Sequence, residues 1–206
     1  TSGLISGTPQ VSGTFTVALT ASNPWGSDTK NLTLTLGSGV PAITSALAAS
    51  GKQGVAFSYA VVASNNPAGF PAADLPSGLE FDAATGVISG RPLAAGTFSS
   101  PITATNHYGG DTRTLIITVA SSVPVITSAP TATGQENQSF SYTIRATETP
   151  TAFGAEGLPP GLTVADGTGV ISGKPLYGGR HEVVVWARNA WGTGSNTLQL
   201  QFSYAP

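Results

Sequence analysis

The chain has 206 residues, of which 40% are apolar and only 9% charged, with a net charge of −2; ordinary soluble domains carry about 25% charged residues. That balance excludes disorder as a default and leaves no field to attract nucleic acid or anionic lipid. Cys and Met are both absent, which excludes a disulfide framework and a thiolate metal centre and suits an oxidising setting outside the cell.

The first element in chain order is the phrase Ile5-Ser6-Gly7-Thr8-Pro9. It returns as Ile88-Ser89-Gly90-Arg91-Pro92 and Ile171-Ser172-Gly173-Lys174-Pro175, at a constant spacing of 83 residues. A fixed period makes the chain an array of one folding unit. The predicted divisions are residues 1–39, the later half of a repeat, and two complete repeats, 40–122 and 123–206. A start partway through a repeat, without an initiator Met, reads as an internal fragment. No run approaches the ~18–20 apolar residues of a membrane span, so direct membrane insertion is not expected.

In the leading segment Phe15, Val17, Leu19 and Ala21 alternate with Thr14, Thr16, Ala18 and Thr20, a period of two that predicts a strand with one buried face. Asn23-Pro24-Trp25-Gly26 follows, then a second alternating strand through Leu32, Leu34 and Leu36. Asn and Gly around two residues predict a hairpin, since both tolerate positive φ. Alone, this half-sandwich exposes Phe15, Val17, Leu19, Leu32 and Leu34, and it is completed either by sequence upstream or by strand addition from another chain.

The middle repeat opens on Pro41-Ala42-Ile43-Thr44-Ser45. Phe57, Tyr59, Val61 and Ala63 then share one face of a strand, as Phe140, Tyr142, Ile144 and Ala146 do in the third repeat. Leu75-Pro76-Ser77-Gly78-Leu79 and Leu158-Pro159-Pro160-Gly161-Leu162 read as tight turns returning both leucines to a core. In Val-Ile-Ser-Gly, Ile88 is expected in the core, Gly90 at a bend, and Pro92 at the strand end. Pro101, inside the next strand, predicts a bulge or an unpaired donor position. The hairpins Asn106-His107-Tyr108-Gly109 and Asn189-Ala190-Trp191-Gly192 precede last strands through Leu115, Ile117 and Val119 and through Leu198, Leu200 and Phe202. About seven short strands per repeat, with no helical period, predict an all-β antiparallel sandwich. The short links 37–40 and 120–123 predict units arranged end to end.

The ordered motifs Ile-Thr-Ser, Phe-Ser-Tyr, Leu-Pro-x-Gly-Leu, Thr-Gly-Val-Ile-Ser-Gly-x-Pro and Ala-x-Asn-x-x-Gly resemble the putative Ig (He_PIG-type) domain family, related to dystroglycan-type cadherin-like domains. The resemblance implies tandem Ig-like sandwiches in bacterial or other secreted and surface proteins, serving as stalks, adhesive segments or appendages to enzymes. Cadherin-like calcium sites need clustered carboxylates, because calcium takes about 6–8 oxygen ligands. The links hold no acid, and Asn23, Asn106 and Asn189 stand where such relatives tend to carry Asp, so no metal or other cofactor is expected.

Catalysis is not expected either. The histidines, His107 and His181, fall at non-equivalent positions: His107 in a turn beside Asp111, as a solvated pair, and His181 at a core-facing position as a satisfied or edge side chain. No Gly-x-Ser-x-Gly elbow is present, and the carboxylates Glu136, Glu148, Glu156, Asp166 and Glu182 form no glycosidase pattern. The candidate contact residues are aromatic. Trp25, Tyr108 and Trp191 recur before Gly and are read first as covers for the sandwich end. Trp186 points outward by parity, where Thr20 and Thr103 stand in the other repeats, with Gln199 and Gln201 facing the same way on the next strand; a Trp beside amides suits a polysaccharide or a surface protein. The expected role is an extracellular structural or adhesive repeat segment, with neighbouring repeats or other copies of the chain as partners. The alternatives are a carbohydrate-binding accessory of a secreted polysaccharide-degrading enzyme and a subunit of an extracellular filament.

Overall fold

The computed structural model describes residues 3–205; residues 1 and 2 of the leading division and 206 of the last lie outside it. Fifteen strands and no helix occur among the described residues, and no helix is therefore long and apolar enough to cross a membrane. The chain forms two compact units, Thr1–Gly51 with Val55–Val119, and Lys52–Gly54 with Ala120–Pro206.

In the first unit β1 (Gly13–Asn23) and β2 (Gly26–Leu36) form an antiparallel hairpin from Gly13↔Leu36 to Asn23↔Gly26. Its apolar positions remain open, with Phe15 37% and Leu19 41% exposed. Residues 4–7 form no strand; Ile5 is exposed where its counterparts Ile88 and Ile171 are fully buried.

The middle repeat packs two three-stranded sheets. One has the order β3 (Ala48–Lys52), β8 (Gly109–Ala120), β7 (Gly96–Asn106); the other has β6 (Val87–Gly90) between β4 (Phe57–Ala60) and β5 (Leu79–Asp82). Alternation sends Phe57 and Val61 from one sheet, and Ile102, Leu115 and Ile117 from the other, into one core around Ile88. Burying each such aliphatic side chain contributes roughly 1.5–3 kcal/mol.

Pro101 makes no bulge. β7 pairs with β8 without a break, Pro101 opposite Thr114. The proline leaves its mark on the other edge, where Thr103 and Thr105 donate their N–H groups to Pro71 O and Gly69 O and position 101 has no N–H to give. Only isolated bridges form there.

The second unit repeats the plan with a fuller sheet. Val184 occupies the position of Pro101, and β11 (Ala152–Glu156) forms a regular ladder on β14 (Gly179–Asn189), from Ala152↔Arg188 to Glu156↔Val184. β14 pairs with β15 (Gly192–Ser203), which carries β9 (Thr131–Gln135) on its far side. The second sheet holds β10 (Phe140–Thr143), β13 (Val170–Gly173) and β12 (Leu162–Ala165), and the core gathers around Ile171, Leu198, Leu200 and Phe202.

First and last strands of this repeat run parallel. β9 and β15 pair from Gln199↔Thr131 to Ser203↔Gln135, with Gln199 N donating to Pro130 O (2.8 Å) and Glu136 N to Ser203 O (2.9 Å) at the two ends. In the middle repeat the corresponding bonds are Ile116 N to Leu47 O (2.9 Å) and Gln53 N to Ala120 O (3.0 Å).

Candidate functional site

Each complete repeat ties down its own incoming segment with one asparagine. Asn106 Nδ2 donates to Gly39 O and to Asn65 O, both at 2.8 Å, and its Oδ1 accepts the Tyr108 N–H at 2.9 Å. Asn189 repeats the set 83 residues on, donating to Ser122 O (2.8 Å) and Glu148 O (2.9 Å) and accepting from Trp191 N (2.8 Å). Positive φ is not what selects asparagine here. Only Gly109 and Gly192 of these hairpins have it; the asparagines act through their side chains, each giving two N–H donors and an acceptor oxygen, where a Ser or Thr hydroxyl has one proton to donate.

The aromatic residues that follow have three different surroundings. The Tyr108 ring lies against Gly39, and the Trp191 indole against Gly54 within the second unit, close enough that a Cβ on either glycine would collide with it. Trp25 is 90% exposed. His107 lies against Tyr108, with ring centroids 3.7 Å apart and the planes tilted by 43°, and is not the partner of Asp111. That carboxylate accepts the Ile43 N–H (2.9 Å) and pairs with Arg113 (3.0 Å); the Ile43 hydrogen bond first, and Arg113 second, hold it below its usual range. His181 is not satisfied, and it lies in the half of β14 that pairs with β15 alone, beyond the end of the β11 ladder at Val184. Its ring stands against Phe202, and its buried Nε2 has no partner among the described residues.

The outward sheet face of the third repeat carries the other candidate. Trp186 is half-buried because its indole lies on β11. A Cβ added to Gly154, its register partner, would stand 2.1 Å from Cε2 and Cζ2 and 2.6 Å from Nε1. Those distances place the glycine under the face of the ring rather than its edge, so the opposite face looks outward. Beside it is an open hollow of about 390 Å³, walled by Glu156, Val184, Arg188, Thr193 and Ser195 as well as Trp186.

Gln199 and Gln201 share this face but lie outside the hollow. Gln199 accepts from Arg180 Nε (2.8 Å) and donates to Glu182 Oε2 (3.1 Å), a chain of polar contacts farther along the sheet. Parity alone found Trp186. It could not find Glu156 or Gly154, because they come from β11, whose counterpart in the middle repeat is not a regular strand. Among the described residues no group of three or more His, Asp or Glu side chains is placed to hold a metal ion.

A family model described as a putative Ig domain matches residues 40–120 and 123–203. No curated protein matches the chain. Among solved structures the chain is similar to a putative alpha-galactosidase from Bacteroides fragilis, at 30% identity and a TM-score of 0.38 over 39% of this chain and 17% of that one. It is also similar to a putative alpha-galactosidase/melibiase from the same organism, at 26% identity and a TM-score of 0.38 over 47% and 21%. A third similarity is to an I-band fragment of titin, at 13% identity and a TM-score of 0.37 over 80% and 66%. The chain thus spans about a fifth of the length of each of the two galactosidase chains.

Proposed function

Since the chain belongs to the putative Ig domain family, whose model matches both complete repeats, we propose that it is a non-catalytic, load-bearing spacer in a secreted or cell-surface protein. The observation that carries this reading is the parallel pairing of the first and last strands of a repeat, β9 on β15. Tension on the two ends of such a repeat acts along the paired strands and loads their hydrogen bonds together, instead of opening them one by one. The asparagine ties support the same reading, because they hold the incoming segment to the fold at the point where tension arrives. A low-charge surface without Cys or Met suits long exposure outside the cell.

Single-molecule extension of the 206-residue chain tests the proposal. The expected trace has two separate unfolding steps, each releasing roughly 25 nm of chain, as 83 residues at about 3.3–3.6 Å each require once the folded length is subtracted. Extension without resolved steps overturns it.

A further inference from the structure

We propose that the third repeat carries a carbohydrate site on its outward sheet face, centred on Trp186, that takes a neutral pyranose chain. This is independent of the load-bearing role. Three observations carry it.

The indole is held flat by a partner that only glycine can be, since any side chain at position 154 would drive into the ring. A ring fixed in this way offers its free face as a platform. Pyranose rings are matched to it, having C–H groups on one face for the aromatic surface and hydroxyls around the edge for polar neighbours.

The polar neighbours are present and unspent. No hydrogen bond or ion pair among the described residues uses the Glu156 carboxylate or the Arg188 guanidinium. One accepts and the other donates in pairs, as adjacent hydroxyls require, and Thr193 and Ser195 add hydroxyls on the remaining side. One negative and one positive group leave no net charge to favour an acidic or sulfated sugar.

The arrangement is absent from the other repeat. In the middle repeat the positions of Glu156, Val184, Trp186, Arg188, Thr193 and Ser195 are held by Ala73, Pro101, Thr103, Thr105, Gly110 and Thr112. Thr103 there bonds Thr112 across the strands at 3.0 Å, as Thr20 bonds Thr29 in the hairpin. The scaffold therefore uses a small Thr–Thr pair where the third repeat has a platform.

The test is affinity electrophoresis and tryptophan fluorescence of the whole chain with neutral glucan, xylan, mannan and galactan chains, and with uronate and sulfated chains as controls. Retention on at least one neutral chain is expected. Trp186→Ala and Gly154→Ala should each weaken it by tenfold or more, the second with the tryptophan still in place but lifted from the sheet. Thermal melting and the unchanged emission of Trp25 and Trp191 report that the fold persists. No binding to any neutral chain, binding only to charged chains, or unaltered binding by folded Trp186→Ala overturns the proposal. So does a Trp186-dependent interaction confined to a protein surface.

Discussion

The carbonyl oxygen of Gly78 lies 2.2 Å from where a Cβ at position 90 would have to stand, and Arg91 O lies 2.1 Å from a Cβ at position 78. Leu79 pairs with Gly90 across the two strands, and Arg91 N donates back to Gly78 O at 2.9 Å. The Leu-Pro-x-Gly-Leu and Ile-Ser-Gly-x-Pro motifs are thus two halves of one contact. The third repeat builds it again from Gly161 and Gly173.

Gly90→Ala and Gly173→Ala should therefore be among the most damaging small substitutions. Each places a methyl group inside a backbone carbonyl contact at a φ near +140°, for a loss of roughly 3 kcal/mol or more. Denaturant unfolding should show the altered repeat melting early and the other unchanged. Equal stability in both variants would mean that the strands part freely.

Asn189→Ala should cost about 1–3 kcal/mol, because two carbonyl oxygens lose their donor. Asn189→Asp should be worse at neutral pH, where a carboxylate faces Ser122 O and Glu148 O, and should recover partly on acidification as the carboxyl gains a proton to donate. Proteolysis of the 120–123 link, faster in both variants, is the second readout. An Asp variant as stable as the parent at neutral pH would contradict the tie.

His181→Phe should stabilise the third repeat by about 1–2 kcal/mol, by removing a buried ring nitrogen that has no partner. Phe98 already packs on the core at the matching position. A lower melting temperature in the variant would count against this account.

Acid should weaken the middle repeat through Asp82 and Asp111. Both carboxyls sit below the usual carboxylate range, Asp82 chiefly through its hydrogen bonds to Thr85 and Ala84, and Asp111 through those to Ile43 and Arg113. A depressed folded value means that the stabilisation is present above the unfolded value and is lost as pH falls below about 4 and through the folded value. Asp111→Asn and Asp82→Asn should flatten the stability profile below about pH 4. A profile that keeps its full slope in the double variant would assign the acid response elsewhere.

The repeat and its strands were legible because alternation and spacing are properties of the chain itself: Ile88, Leu115 and Ile117 are buried where their parity puts them. The outward direction of Trp186 followed from the same rule. What lay beyond the sequence was partnership across strands. The Gly154 cradle depends on whether β11 forms a ladder, and in the middle repeat two prolines lie on either side of that edge, Pro71 at the position of Gly154 and Pro101 at that of Val184, each without an N–H to donate. The two bonds from Asn106 reach 67 and 41 residues away, and no local pattern announces an acceptor at such a distance. For His181 parity gave the core-facing direction, but whether its nitrogen finds a partner is determined by the neighbours around that position.

Parallel first and last strands also have a genetic consequence. The chain enters a repeat at the hairpin end of β15 and leaves at the other end of the same strand, so no strand has to be shared for a further copy to be added. In-frame gain or loss of one 83-codon unit would change the number of repeats without touching the core of any other. Variation in copy number between otherwise similar genes is the form in which selection on length would be recorded.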